Sequence, residues 1–276
     1  MNKQFSILNG NLIPSSEATI PISDKGYFFD FAVYDSLKII QGKLFFPEFH
    51  IDRLLFSADQ IGLKHHFDKK QIIKWINLLV EKNNLANYSI RTILIGDPDN
   101  GKQPKLYIFP VTGITYAPNE CYSKGIKTIS CVGQRRFPQA KTVDLLLAYT
   151  AKRTAKQADA KEVLMVDYDG FICEGGSSNF LAIQGDKLIT PPREKCLEGI
   201  TKKIILEIAK NNFEIIEKDI LLTDLKNYDE FFITSTLKNV MPIRQIDDLV
   251  VTDKFPQTKK IMKLYKDYYT KNILNN

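Results

Sequence analysis

The apolar period of this chain changes several times between two residues and about 3.6 residues, and the order of those changes restricts its fold more than any single residue does. It opens on short alternating runs, FSIL, NLIP, VYDSLKII and GKLFF, which read as antiparallel strands; Asn-Gly-Asn and Gln-Gly supply the turns. HIDRLLFSADQIGL then takes helical spacing, with Leu54, Leu55, Ala58, Ile61 and Leu63 near one face. KKQIIKWINLLVEKNN makes a second helix that an Asn pair can stop. The strands SIRTILIG and KLYIFP follow, separated by the polar turn DPDNGKQP.

TGITYAPNECYSKG has no sustained period and contains Gly, Pro and Asn, so it reads as a linker. A second unit begins at IKTISCVG. It continues with a helix over about 142–158, the strand EVLMVDY, a DG turn, the stretch FICEGGSSNFLAI and a GD hairpin into KLITPP. The helix TKKIILEIAKNN, the strands FEIIEKDI and DEFFITS and a C-terminal helix complete it. The expectation is a two-domain α+β protein, with an N-terminal domain over 1–113, a linker over 114–123 and a C-terminal domain over 124–276.

Composition narrows the function. The 276 residues carry a formal charge of +6, but the lysines are spread along the chain and interleaved with acids. No aromatic-basic motif accompanies them, which argues against nucleic acid and suits an anionic small ligand. No run approaches the roughly 18–20 apolar residues of a membrane span, and MNKQFSILNGNLIP lacks the apolar core of a signal peptide. Cys121, Cys131, Cys173 and Cys196 are scattered without a CxxC pair, as expected of reduced thiols in a cytoplasmic protein without a zinc site.

GxGxxG after a strand, GxxxxGK[ST], HExxH and GxSxG are all missing. Of the three histidines, His65 and His66 sit as on an exposed helix end, and His50 stands at a helix start where capping accounts for it. Four other features remain. Lys141, in RRFPQAKTVDLLLAYTAKR, precedes a helix whose Val143, Leu146, Leu147 and Thr150 share a face; it is either a solvated lysine or a partly desolvated nucleophile. Glu174 lies in an apolar run followed by small residues, which fits either a bulge with a satisfied acid or a close approach by another group. Gly199 precedes a helix whose first amides, at Ile200 and Thr201, can bind an anion. Ser235 and Thr236 are hydroxyl donors after the strand FFI.

Together these elements resemble the class IV, or fold-type IV, pyridoxal-phosphate enzymes: branched-chain aminotransferases, D-amino-acid aminotransferases and 4-amino-4-deoxychorismate lyase. The resemblance runs through DKGYFFDFAVYDSLKI, HIDRL, AKTVDLLLA, EVLMVDYDGFICEGGSSNFLAI, LEGITKK and DEFFITSTLKNVMPI in order. It implies a D-amino-acid aminotransferase-like fold with pyridoxal 5'-phosphate between two domains, and a homodimer. Lys141 resembles the Schiff-base lysine, which also shuttles the substrate Cα proton. Glu174 resembles the partner of the pyridine nitrogen, and Arg53 the phosphate-binding arginine, its other reading being a surface charge. Ser177, Ser178 and Asn179 line the cofactor by the same resemblance; Ile200, Thr201, Ser235 and Thr236 complete its phosphate cup.

The substrate side is mixed. Tyr34 looks like the tyrosine of the D-amino-acid enzymes, with Phe29 at a pocket position nearby. The loop GDPDNGKQP has neither the Arg-x-His clamp of those enzymes nor the arginine- and glycine-rich loop of the lyases. Its GD…G…P skeleton is closer to the branched-chain enzymes, which also have an arginine where Arg91 stands. Arg91 either points inward to a substrate carboxylate or snorkels from an edge strand. Ser89 and Leu146 stand where the branched-chain enzymes carry tyrosines, and Gly176 where the D-amino-acid enzymes carry a serine. The activity implied is transfer of an amino group from a branched-chain or D-amino acid to a 2-oxo acid, the alternative being release of pyruvate from aminodeoxychorismate.

Overall fold

The structure is a computed structural model describing residues 4–99 and 101–274. The first three residues of the N-terminal reading and Asn100 of the GDPDNGKQP loop lie outside the described residues. The chain divides into two compact units, Met1–Thr115 with Ala140–Asp144, and Tyr116–Gln139 with Leu145–Asn276.

The first unit holds β1 (Phe5–Leu8), β2 (Asn11–Pro14), α1 (Lys25–Phe28), β3 (Ala32–Ile40), β4 (Lys43–Leu44), α2 (Pro47–Gln60), α3 (Lys69–Asn83), β5 (Tyr88–Ile95) and β6 (Lys105–Gly113). Its strands form one antiparallel sheet in the order β2-β1-β6-β5-β3-β4. Strand alternation sends Val33, Leu37 and Ile39 of β3 into a core shared with Ile51, Leu54 and Ala58 of α2 and Ile72, Ile76 and Leu79 of α3. Asn9 and Gly10 both take positive φ, as the Asn-Gly hairpin requires. The Asp68 carboxylate accepts from the amides of Lys70 and Gln71 to start α3, and Asn84, at φ 52°, stops it.

The second unit holds α4 (Asn119–Ser123), β7 (Ile126–Val132), α5 (Leu146–Gln157), β8 (Glu162–Val166), β9 (Ile172–Gly175), β10 (Asn179–Gln184), β11 (Lys187–Thr190), α6 (Ile200–Ala209), β12 (Glu214–Glu217), β13 (Glu230–Ser235), β14 (Asn239–Ile246), β15 (Leu249–Val250) and α7 (Pro256–Tyr269). The sheet runs β12-β11-β10-β13-β14-β7-β8-β9, with β15 beside β14. It is mixed: β14–β7, β7–β8 and β11–β12 are parallel. β8 is buried along its whole length and reads as a near-continuous apolar run for that reason.

Two differences from the sequence reading bear on function. The helix expected from about 142 begins at Leu146. Residues before it are strand-like: Thr142 bridges Val33, the Tyr34 amide donates to the Lys141 carbonyl at 2.9 Å, and the Val143 amide donates to the Ala32 carbonyl at 3.2 Å. Those ladder bonds carry Lys141 into the first unit, although the sequence places it with the C-terminal domain. The second difference is β14, which contains Pro242 and was therefore hard to read as a strand.

Candidate active site

In the first unit the candidate residues gather around β3. Lys141 Nζ lies 4.7 Å from the Tyr34 ring centroid, and the Arg91 guanidinium carbon 5.4 Å from the same centroid. β5 pairs with β3 so that Arg91 stands opposite Ser36, and Arg91 Nε donates to Ser36 Oγ at 3.5 Å. β5 lies between β6 and β3, so Arg91 does not stand on an edge strand.

Behind Tyr34, on the core side of β3, Asp35 is fully buried. Arg53 grips it with two hydrogen bonds, Nε to Oδ2 at 2.7 Å and Nη2 to Oδ1 at 3.0 Å. His50 Nδ1 lies 2.7 Å from Asp35 Oδ1. Burial pushes the Asp35 carboxyl up, but the charges of Arg53 and His50 and their hydrogen bonds outweigh it and hold the group well below the carboxylate range. Burial pulls His50 below its ordinary value, and Arg53 already neutralises the acid beside it. His50 is thus a buried residue inside α2 and not its cap, and Arg53, with its side chain 10% exposed, is not a surface charge. Ser57 Oγ donates to the Arg53 carbonyl at 2.7 Å and accepts the Lys141 amide at 3.0 Å, so α2 ties the backbones of Arg53 and Lys141 together. Phe29 follows α1, is 63% exposed and packs edge-on against Phe28.

In the second unit Glu174 has a partner the sequence reading did not supply. Arg135 Nε donates to its Oε1 at 2.6 Å, and the Leu197 amide donates to Oε2 at 3.1 Å. The guanidinium is steadied by a bond from Nη2 to the Pro138 carbonyl. Asn179 lies opposite Thr234 in the β10–β13 pair, and its Nδ2 donates to the Leu197 carbonyl at 2.7 Å. A side chain at Gly199 would run into Asn179 Oδ1, so the turn that starts α6 needs glycine here. Asn179 therefore links the segment Leu197–Gly199, which leads into α6, to β10 beside Thr234 of β13. The free amides at the start of a helix suit an anion.

Of the two readings of the small residues after Glu174, packing against the turn and the neighbouring strand β8 accounts for both glycines. A Cβ on Gly175 would meet Ser178 Oγ, and one on Gly176 would lie 2.6 Å from Val163 Cγ1. The D-amino-acid enzymes' serine has no room at Gly176. Ser177 and Ser178 both turn their hydroxyls to Glu162 Oε2, at 3.3 and 3.1 Å. Glu162 is 1% exposed, and Lys238 Nζ binds the same oxygen. Sequence reasoning missed Asp35, Arg135, Glu162 and Lys238. Asp35 alone left a signal, as an acid inside the apolar run FAVYDSLKII.

Comparison with known proteins gives this geometry a context. The family described as amino-transferase class IV matches residues 32–246. A putative branched-chain-amino-acid aminotransferase of Methanocaldococcus jannaschii is 29% identical, with 96% of each chain covered. A D-alanine aminotransferase of Listeria monocytogenes is 30% identical, again with 96% of each covered. Among solved structures, the branched-chain amino acid aminotransferase of Thermobaculum terrenum in its PLP form superposes with a TM-score of 0.86 at 21% identity, covering 99% of this chain and 96% of that one.

Proposed function

The chain belongs to the class IV aminotransferases, and on that footing we propose that it moves the amino group of a branched-chain L-amino acid to 2-oxoglutarate, with Arg91 receiving the substrate carboxylate. It is a transaminase, and its cofactor is pyridoxal 5'-phosphate. The observation that supports Arg91 as the carboxylate contact is the shared ring: Lys141 Nζ and the Arg91 guanidinium both lie near Tyr34, and the branched-chain choice rests on the similarity to the Methanocaldococcus protein. Arg91 and Lys141 thus border one ring, and a substrate whose carboxylate rests on Arg91 lies beside the same tyrosine as the reacting amine.

The donor set fits the cofactor. On this reading the donors are a lysine amine, an arginine fixed by a buried acid, the first amides of α6, hydroxyls and a carboxylate. When bound, the cofactor supplies an electron sink for the pair released at the substrate Cα. Lys141 would hold the cofactor through Nζ, and the same amine would take and return the substrate Cα proton. Glu174 holds the proton at the ring nitrogen. Arg53, the amides of Ile200 and Thr201 and the hydroxyls of Ser235 and Thr236 bind the phosphate, while Ser177, Ser178 and Asn179 shape the wall. Phe29 and Tyr34 border the substrate side chain.

A D-amino acid is the second reading, favoured by Tyr34 and by the similarity to the Listeria enzyme. The lyase reading draws no support from these relatives, which are named as aminotransferases. A donor panel of L- and D-amino acids with 2-oxoglutarate or pyruvate decides between the first two. Turnover of L-leucine, L-isoleucine and L-valine is expected; turnover confined to D-amino acids replaces the first reading with the second, and no turnover of either hand defeats both. In parallel, Lys141→Ala loses the visible cofactor band, with activity falling by at least about 100-fold.

The working form on this reading is a cytoplasmic homodimer. The free thiols Cys121, Cys131, Cys173 and Cys196 suit a reducing compartment, and no helix among the described residues is long and apolar enough to cross a membrane. The exposed aromatic run Tyr27, Phe28 and Phe29 suits a subunit contact.

A further inference from the structure

Lys238 lies in the three-residue loop between Ser235 and Asn239, which face each other across the β13–β14 hairpin. Asn239 adopts φ 56° to close that loop, and the Lys238 amide donates to Ser235 Oγ at 3.2 Å. Its ammonium does not run out to solvent. It binds Glu162 Oε2 and donates to Ser177 Oγ at 3.0 Å, with the side chain only 25% exposed. Glu162, at the first position of β8, also accepts the Val163 amide and the Ser177 and Ser178 hydroxyls. Burial pushes this carboxyl up, yet the charges of Lys238 and of Lys152 bring it below its ordinary value. One buried carboxylate and one ammonium thus join two turns that are far apart in sequence, Gly175–Ser178 and the loop from Ser235 to Asn239.

We propose that Lys238 is a positioning residue for cofactor binding: by bonding Glu162 and Ser177 together it fixes the loop carrying Ser235 and Thr236 against the turn carrying Ser177 and Ser178. The proposal rests on the assignment of these turns to the cofactor site. Strand pairing joins the two turns only at their bases, where Asn179 at the start of β10 lies opposite Thr234 near the end of β13; Lys238 adds a side-chain link beyond that pair. Without the ammonium the two turns keep their own internal bonds and the strand pair at their bases, and lose the side-chain link between their tips. The cofactor must then order them as it binds, and its affinity falls.

The test is a titration of full-length apoenzyme with pyridoxal phosphate, with unfolding of each apoenzyme measured alongside. Lys238→Met keeps the apolar stem and is expected to weaken binding by about tenfold or more. It also strands Glu162, so a loss of stability accompanies it. Lys238→Met combined with Glu162→Gln removes both charges: stability returns toward wild type while binding stays weak. Lys238→Arg keeps a cation with several donors and restores most of the affinity. Wild-type affinity in Lys238→Met and in the double variant overturns the clamp. Thr236→Val, titrated in parallel, separates the two layers of the argument. If it binds normally, the cup assignment fails and the clamp with it; if it weakens binding while the Lys238 variants do not, the clamp alone fails.

Discussion

Arg135 Nε donates to Glu174 Oε1 at 2.6 Å, which joins the loop ahead of Lys141 to strand β9. Both side chains are mostly buried, 19% and 10% exposed. The acid therefore has a counter-charge inside the protein before any ligand arrives.

Removing that counter-charge leaves a buried acid with a single backbone donor. Arg135→Met is expected to cost about 3–5 kcal/mol in denaturant unfolding of the cofactor-free protein. Arg135→Met with Glu174→Gln recovers most of it. An undiminished unfolding midpoint in the single variant would show that the pair contributes nothing to stability.

The Asp35–His50–Arg53 cluster makes the first unit sensitive to acid. His50 is depressed by burial, so below the unfolded histidine value of about 6.5 the unfolded chain binds a proton that the folded chain refuses. Asp35 is depressed as well, by Arg53 and His50 against its burial, so its contribution is present above about 3.9 and is lost as pH falls further. Stability should decline in two stages on acidification. His50→Gln should flatten the first stage relative to wild type, with His65 contributing what slope remains.

Lys38 titrates in the opposite region. Burial brings it down to about 7, with its ammonium 4.0 Å above the Phe45 ring. Between that value and about 10.4 the unfolded chain holds a proton the folded chain has released, so stability rises with pH by up to about 1.4 kcal/mol per unit. Lys38→Met should abolish this slope and be the more stable protein at pH 7. A flat wild-type profile from pH 7 to 10 would contradict the burial of this amine.

Gly176→Ser tests whether the serine of the D-amino-acid enzymes is excluded by packing. Its Cβ would fall 2.6 Å from Val163 Cγ1, with Lys152 Cε and Glu162 Oε1 also close, at 3.2 and 3.3 Å. The expected cost is about 1–3 kcal/mol in thermal or denaturant unfolding. Adding Val163→Ala should relieve part of it. If Gly176→Ser alone is neutral, some reason other than space keeps glycine here.

The strands of the first sheet and the helices α2, α3 and α6 were legible because their apolar residues follow one period without interruption. The stretch AKTVD was not, since Ala140, Thr142 and Val143 serve a strand edge as readily as a first helical turn; only the ladder to β3 decides. β14 was hidden by Pro242. Glu174 could be recognised as an acid in need of a cation, but in a chain with 38 lysines and arginines nothing in the sequence picks Arg135. The same abundance hid Lys238. Gly199 and Gly176 carried no turn signature, because what forbids a side chain there is Asn179 in one case and Val163 in the other.

The chain leaves its first unit at Thr115, re-enters it for Ala140–Asp144 and leaves again. Neither unit is therefore an unbroken gene segment, and a recombination joint placed in the linker would not transfer a whole one. A fragment ending at Thr115 has the sheet and both long helices but lacks the strip that bonds to Ala32, Val33, Tyr34 and Ser57. Tyr34 and Lys141 are inherited together only by a segment that runs past Asp144, so a joint placed in the linker would part the amine from the ring it rests on.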